Sequence, residues 1–197
     1  MKIVLSFALA LFSSFAAAQD ARPDALIRAI TDEVLATVRA DKALQAGDPA
    51  KLATLVQKDI LPHFDFPRAT QMAVGPAWRR ATPEQREALT KWFQALLVRT
   101  YSGVLASYRD EAIDVLPVHM GRDDDEATVH CKVRQSGSAP IEIDYAMERS
   151  DGGGWKVFDV VADGMSLVLN YRTSFEDAIR RGGIDGLIAM LAKKSGA

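Results

Sequence analysis

The chain has 197 residues, 24 Lys and Arg against 26 Asp and Glu, a formal charge of −2 at pH 7 and 48% hydrophobic residues. That balance suits one folded domain with a sizeable core, and it excludes a whole-surface attraction for nucleic acid or a polybasic hold on anionic membranes. Cys131 is the single cysteine, which excludes an intramolecular disulfide.

Residues 1–18 read as an export signal. Lys2 supplies the positive start, residues 3–15 the apolar run, and Ala16-Ala17-Ala18 an A-x-A cleavage site. The run is shorter than the roughly 20 apolar residues a bilayer span needs. No Cys follows the site, which argues against a lipoprotein anchor. Cleavage leaves Gln19 first, in an oxidising compartment. The expected organisation is a cleaved signal over 1–18 and one domain over 19–197: a helical part over about 22–108, a sheet over about 111–162 and C-terminal helices over about 166–194.

The first half has helical periodicity. Pro23 opens a helix in which Leu26, Ile27, Ile30, Val34, Leu35 and Val38 recur on one face. Asp48-Pro49 reads as an N-cap followed by Pro at the first helical position, starting a second helix toward Ile60. Asp65 is expected to cap a third that stops near Gly75. Thr82-Pro83-Glu84-Gln85 matches a capping box. A wide aromatic stripe follows it, from Leu89, Trp92 and Phe93 through Leu96, Leu97 and Tyr101 to Tyr108.

From Ile113 the period becomes two. Residues 113–120, 127–134, 141–149 and 155–162 read as four antiparallel strands joined by turns at Asp123-Asp124-Asp125, Ser136-Gly137-Ser138 and Gly152-Gly153-Gly154. Pro117 lacks a ladder donor, which places the first strand at an edge or gives it a bulge. The inner face is expected to hold Val129, Cys131, Val133, Ile143, Tyr145 and Met147. A simple hairpin register sets Lys132 opposite Asp144 and Arg134 opposite Glu142 on the outer face. The strand 155–162 is apolar on both faces, so its orientation stays open. The chain turns at Asp163-Gly164 into a helix from about Ser166 to Gly182-Gly183. A last helix over 185–192 then runs into a frayed basic tail. The fold class is α+β: helices packed on one face of a curved, four-stranded antiparallel sheet.

Few residues suggest bond chemistry. Gly164-Met165-Ser166 resembles a nucleophile elbow, but the second Gly is missing and no His follows His130; Ser166 reads as a helix N-cap. His63, His119 and His130 are scattered, and no HExxH or Cys/His cluster exists, so no metal is expected. Asp123 to Glu126 lacks EF-hand spacing and reads as a solvated hairpin tip. Asp159, in an apolar strand, is either a general acid or base or a hydrogen-bond partner of the following turn. Trp78, Trp92, Phe93, Tyr101, Tyr145, Trp155, Phe158 and Tyr171 fit either a solid core or a core with a guest inside.

Five motifs occur in order: V-G-P-A-W-R-R-A-T-P-E-Q-R (74–86), L-L-V-R-T-Y (96–101), W-K-V-F-D-V (155–160), G-M-S-L-V-L-N-Y-R-T-S-F (164–175) and G-G-I-D-G-L-I (182–188). Together they resemble the MlaC family of periplasmic phospholipid-binding, or toluene-tolerance auxiliary, proteins. One departure is Asp163, where many relatives carry Glu before the Gly. The resemblance implies an NTF2-like sheet with added helices around an apolar pocket that takes both acyl chains of a phospholipid. It also implies a periplasmic shuttle, part of an outer-membrane lipid-asymmetry system. Its partners would be an outer-membrane lipoprotein bound to porins and an inner-membrane ABC transporter with its membrane-anchored substrate-binding subunit. A monomer is expected, with no nucleic acid, metal or cofactor and with diacyl phospholipid as cargo.

Under that resemblance Trp92, Leu96, Leu97, Tyr101, Tyr145, Val157, Val168 and Tyr171 are expected to line the pocket. Arg99 and Arg172 are read two ways, as holding a phosphate at the mouth or as pairing with acidic neighbours. Each methylene kept from water is worth about 0.8 kcal/mol, so a carrier must enclose its acyl chains. No reaction is expected. The competing readings are an NTF2-like small-molecule enzyme using Asp159 or Tyr145 as acid or base, and a scaffold that binds only proteins.

Overall fold

Capping and proline placement account for most of the helix starts. The computed structural model describes residues 22–107, 112–121, 124–134, 137 and 139–196. The export-signal reading and Tyr108 lie outside these residues, as do Asp123, Ser136 and Ser138 of the expected turns. Helix α1 (Pro23–Ala40) begins on Pro23 and buries Ile27, Val34 and Val38. Asp48 caps α3 (Pro49–Leu55) by accepting from the Ala50 and Lys51 N–H groups at 3.0 Å each. Between them lies α2 (Lys42–Gln45), a single turn capped by Asp41 that the periodicity does not reveal. The chain leaves α3 through a π turn, Val56–Ile60, and a 3-10 turn, Leu61–His63.

Asp65 caps α4 (Phe66–Val74), which ends as expected at Gly75, and a 3-10 turn Gly75–Arg80 follows. The capping box of α5 (Pro83–Tyr101) is complete in both directions. The expected continuation of this helix to 108 is corrected: α5 stops at Tyr101 and tightens into 3-10 turns over Ser102–Ser107, where Ser102 and Gly103 are poor helix formers.

The sheet has five strands in the order β1-β2-β3-β4-β5, all antiparallel: β1 (Ala112–Val115), β2 (Glu126–Arg134), β3 (Ile141–Arg149), β4 (Trp155–Ala162) and β5 (Met165–Ser166). The α+β class holds, with a fifth, two-residue strand beyond the four expected. β1 is an edge strand, but it is shorter than 113–120. Its ladder continues only to the Leu116 N–H, which donates to His130 O at 2.9 Å, because Pro117 has no donor.

The expected register of β2 on β3 is also corrected. Lys132 faces Glu142 and His130 faces Asp144. Lys132 Nζ lies 3.4 Å from Glu142, and His130 Nδ1 lies 2.7 Å from Asp144 Oδ1. Arg134 is drawn to β1, where its Nε sits 2.8 Å from Asp114. The shift is two residues, so the expected inner face is preserved: Val129, Cys131, Val133 and Met147 are all buried.

A β-bulge resolves the orientation of β4. Met147 faces Val157 and Ala146 faces Asp159, so Phe158 has no partner in the ladder. The extra residue changes the phase of the alternation. Val157 and Val160 therefore both pack on the sheet's inner cluster, while Phe158 lies beneath the Arg68 guanidinium, 5.5 Å from its ring centre.

A 3-10 turn, Leu169–Tyr171, leads into α6 (Arg172–Ser195), which is broken at Gly183 (φ 67°, ψ −168°). The break matches the expected pair of helices. Ser166 does not start a helix, however: it ends β5, and its hydroxyl accepts from the Leu169 N–H at 2.8 Å. Nor is the tail frayed. Ser195 Oγ donates to Trp92 O at 3.0 Å, and Arg99 donates to Lys194 O at 3.2 Å, which holds the last turn on α5.

Candidate functional site

The buried apolar side chains form three clusters. One is built by α4, α5 and α6 around Leu89, Phe93, Phe175 and Leu187. The second joins the inner face of the sheet to Ile27 of α1. The third joins Val34 and Val38 of α1 to Leu44, Leu52 and Leu55. α1 thus carries residues of two clusters along one face. Each cluster is flanked by half-buried apolar groups, among them Trp92, Leu97 and Tyr171, then Ile143, Tyr145 and Val160, then Ile60 and Leu105.

Seven of the eight expected lining residues divide between two of these clusters, and Tyr101 belongs to none of the three. Trp92, Leu96, Leu97, Val168 and Tyr171 belong to the helical cluster, and Tyr145 and Val157 to the sheet cluster. Leu96, Val157 and Val168 are 7%, 1% and 4% exposed, so they present almost no surface to a guest. Trp92, Leu97, Tyr101, Tyr145 and Tyr171 are half-buried and retain accessible apolar area.

Helical spacing sets the aromatic centre of the first group. Phe93 of α5 meets Tyr171 and Phe175 at ring-centre distances of 5.3 and 5.1 Å, both edge-on at 77°, and Tyr171 meets Phe175 at 5.6 Å. Such pairs contribute about 0.5–1.5 kcal/mol each beyond area burial. Tyr171 also lies beside Tyr101 at the end of α5. Burial, with Tyr171 beside it, pushes the Tyr101 phenol up to about 12.

Asp159 is 5% exposed and is used as an acceptor. Its carboxylate receives Ser166 Oγ at 2.5 Å, the Val168 N–H at 3.2 Å and the Val160 N–H at 2.8 Å. These bonds fasten β4 to the turn that carries Val168 and Tyr171. Asp163 (φ 47°) and Gly164 (φ 80°) make the reversal between them. Of the two readings of Asp159, the geometry matches the hydrogen-bonded turn. Ser166 is hydrogen-bonded to this carboxylate, and among the described residues no histidine is hydrogen-bonded to Ser166. Among the described residues no group of three or more His, Cys, Asp or Glu is placed to hold a metal.

Arg172 and Arg99 each meet a partner within the fold. Arg172 Nε lies 3.6 Å from Glu176, an acidic neighbour one turn on. Its guanidinium also lies so close to Gly75 that a Cβ there would sit 2.6 Å from Nη2. Gly75 and Arg172 come from two of the sequence motifs, which this contact brings together. Arg99 donates to Lys194 O in the last turn of α6.

Arg99 also borders a groove of about 1100 Å³ on the face of α5 opposite Phe93, which includes Ala95 and Val98 and does not include the eight expected residues. Sequence reasoning missed this groove. Its only signal was Ala95 and Val98 on a helix face otherwise carrying Arg86, Thr90, Lys91 and Gln94.

The model of the family described as MlaC protein matches residues 28–193. The chain is 25% identical over 195 residues to the intermembrane phospholipid transport system binding protein MlaC of Haemophilus influenzae, covering 98% of this chain and 91% of the relative. It is 28% identical over 178 residues to the toluene tolerance protein ttg2D of Pseudomonas putida, covering 87% and 82%. Its fold superposes with a TM-score of 0.81 on a phospholipid-binding protein of Ralstonia solanacearum solved in complex with a phospholipid. That protein is 38% identical, and the match covers 89% of this chain and 97% of the other.

Proposed function

This chain belongs to the MlaC protein family, and from that premise we propose that it is a phospholipid carrier of the periplasm. The observation that carries the reading is the 38% identical structure with a phospholipid bound, matched over 89% of this chain. The half-buried apolar groups supply the means. Acyl chains lying against Trp92, Leu97, Tyr101, Tyr145 and Tyr171 would cover surface that the fold leaves partly open, at about 25 cal/mol per Å². Leu96, Val157 and Val168 support those side chains from behind. Arg172 and Arg99 serve the scaffold in this reading, and neither is needed to hold the headgroup.

The carrier makes and breaks no bond, and a carboxylate engaged as Asp159 is supports a structural role. The export signal over 1–18 and a single lipid-binding domain over 19–197 belong to the same proposal. So does exchange of lipid with an outer-membrane lipoprotein–porin complex and an inner-membrane ABC transporter with its anchored substrate-binding subunit. The test is lipid extraction and native mass spectrometry of protein purified from a Gram-negative host. Co-purified diacyl phospholipid is expected. Repeated lipid-free preparations that also take up none from liposomes would overturn the reading.

A further inference from the structure

A molecule with apolar tails and an anionic head requires a cation at the edge of an apolar surface. Helix α1 supplies one on the border of the sheet cluster. Its helical period sends Ile27 into that cluster, where it is 3% exposed, with half-buried Leu26 packed against the same cluster. Arg28 comes next on the helix and reaches the edge strand, where its Nη2 donates to Val115 O at 2.7 Å. Val115 is 5% exposed, so this bond lies at the margin of buried apolar surface. Ile113, Val118 and Met120 are half-buried against the same cluster, and Leu116 is 37% exposed. The border of α1 and β1 therefore carries a partly open apolar rim with a guanidinium set in it.

The charge of Arg28 remains available. Among the described residues it makes no ion pair, and Val115 O takes one of its five N–H donors. Asp24, one turn before it on α1, is taken by Arg22 at 3.2 Å and by the Val118 N–H at 3.2 Å. Other cations along the sheet are committed: Lys132 to Glu142, Arg134 to Asp114, and Arg68 to Glu126 and Glu148. Arg149 lies over the Trp155 ring at the other end of β3. The Arg28 charge also reaches the inner face of the sheet, where it opposes the rise that burial gives the Cys131 thiol.

A phosphodiester fits this position. A guanidinium meets two phosphate oxygens through parallel N–H···O bonds, which a point charge cannot do. The first methylenes of the acyl chains would meanwhile cover Ile113, Leu116 and Val118. An uncharged head on the same chains would leave the guanidinium with water alone. We propose that Arg28 holds the phosphate of the cargo phospholipid at a mouth between α1 and β1. The proposal rests on the carrier reading and deepens it, because it names the anchor of the headgroup. It also makes the protein selective for phospholipid over a neutral diacyl lipid.

The experiment offers delipidated protein an equimolar mixture of phosphatidylglycerol and diacylglycerol with the same acyl chains in detergent. The detergent is removed, and bound lipid is extracted and quantified by mass spectrometry. Wild-type protein should retain phosphatidylglycerol over diacylglycerol by about tenfold or more, as hydrogen bonds to charged groups allow. Arg28→Ala and Arg28→Gln should bring the ratio close to one, and Arg28→Lys should keep part of it. Arg28→Gln retains a donor for Val115 O, so it preserves the contact within the fold while removing the charge. A purely structural role for Arg28 would lower both lipids together and leave the ratio unchanged. That unchanged ratio in the Ala and Gln variants overturns the proposal, as does a wild type without preference. Added inorganic phosphate should leave the ratio in place, because a free anion has no acyl chains to hold it. A ratio abolished by phosphate assigns Arg28 to a free anion and overturns the headgroup role. Wild-type protein that takes up neither lipid sinks the carrier reading with it, whereas a failure confined to the ratio leaves the carrier standing.

Discussion

Replacing Asp159 separates the structural role of this carboxylate from a catalytic one. In Asp159→Ala, the Val168 N–H loses its 3.2 Å acceptor inside a residue that is 4% exposed. A buried donor left unpaired costs about 1–3 kcal/mol. Ser166 Oγ and the Val160 N–H lose acceptors at 2.5 and 2.8 Å; both residues are half-buried and recover part of that loss from water. The expected total is about 3–5 kcal/mol, since bonds to a charged group carry about 1.5–3 kcal/mol each. Asp159→Asn keeps one oxygen for the two N–H donors, and Ser166 can reverse its hydroxyl to accept, so about 1–2 kcal/mol is expected. Urea unfolding of delipidated protein, followed by tryptophan fluorescence, reads both. With a slope of about 2 kcal/mol per M, the Ala variant should lose about 2 M of midpoint and the Asn variant under 1 M. An Ala variant within about 1 kcal/mol of wild type would refute the claim that these bonds hold β4 to the turn before α6. A well-folded Asn variant that loses a measurable turnover would favour the enzyme reading instead.

Other outcomes follow from single contacts. Leu97→Trp should lower phospholipid per chain at least severalfold after extraction while leaving the unfolding free energy in urea within about 1 kcal/mol, because the site is half-buried and the helix is otherwise unchanged; full lipid loading would move the pocket elsewhere. Gly75→Ala should destabilise by about 1–3 kcal/mol from its φ of 66° alone. Combining it with Arg172→Ala should recover only the part due to the 2.6 Å contact, and a double-mutant cycle in urea checks this. Cys131 is 2% exposed, and burial first, then Asp144, pushes its thiol up to about 12. It should therefore stay unreactive to a disulfide reagent at about pH 8 until the protein unfolds; rapid labelling of native protein would contradict its burial. The raised Tyr101 phenol makes folding favour the protonated form, so its contribution is intact below about pH 10 and lost as pH rises through about 12. Alkaline unfolding should accordingly shift in Tyr101→Phe relative to wild type.

Much of this protein was determined by local chemistry that sequence alone displays. Asp48, Asp65 and Thr82 cap the helices where they were expected, because a cap needs only the residue and the N–H groups two or three positions on. The inner face of β2 and β3 followed from period-two alternation, and it survived a two-residue error in register because such a shift leaves the faces unchanged. The five spaced motifs were enough to place the chain in its family. Only the tertiary structure decided what depends on contacts between distant segments. The bulge at Phe158, the pairing of Arg134 with Asp114 and the fit of Arg172 against Gly75 each join residues far apart in the chain. So do the division of the expected lining among separate clusters and the groove behind α5. A helix's own periodicity records which of its faces is apolar, but the space between two helices depends on where both are packed. That packing is set by summed burial across the fold, which no single stretch of residues carries.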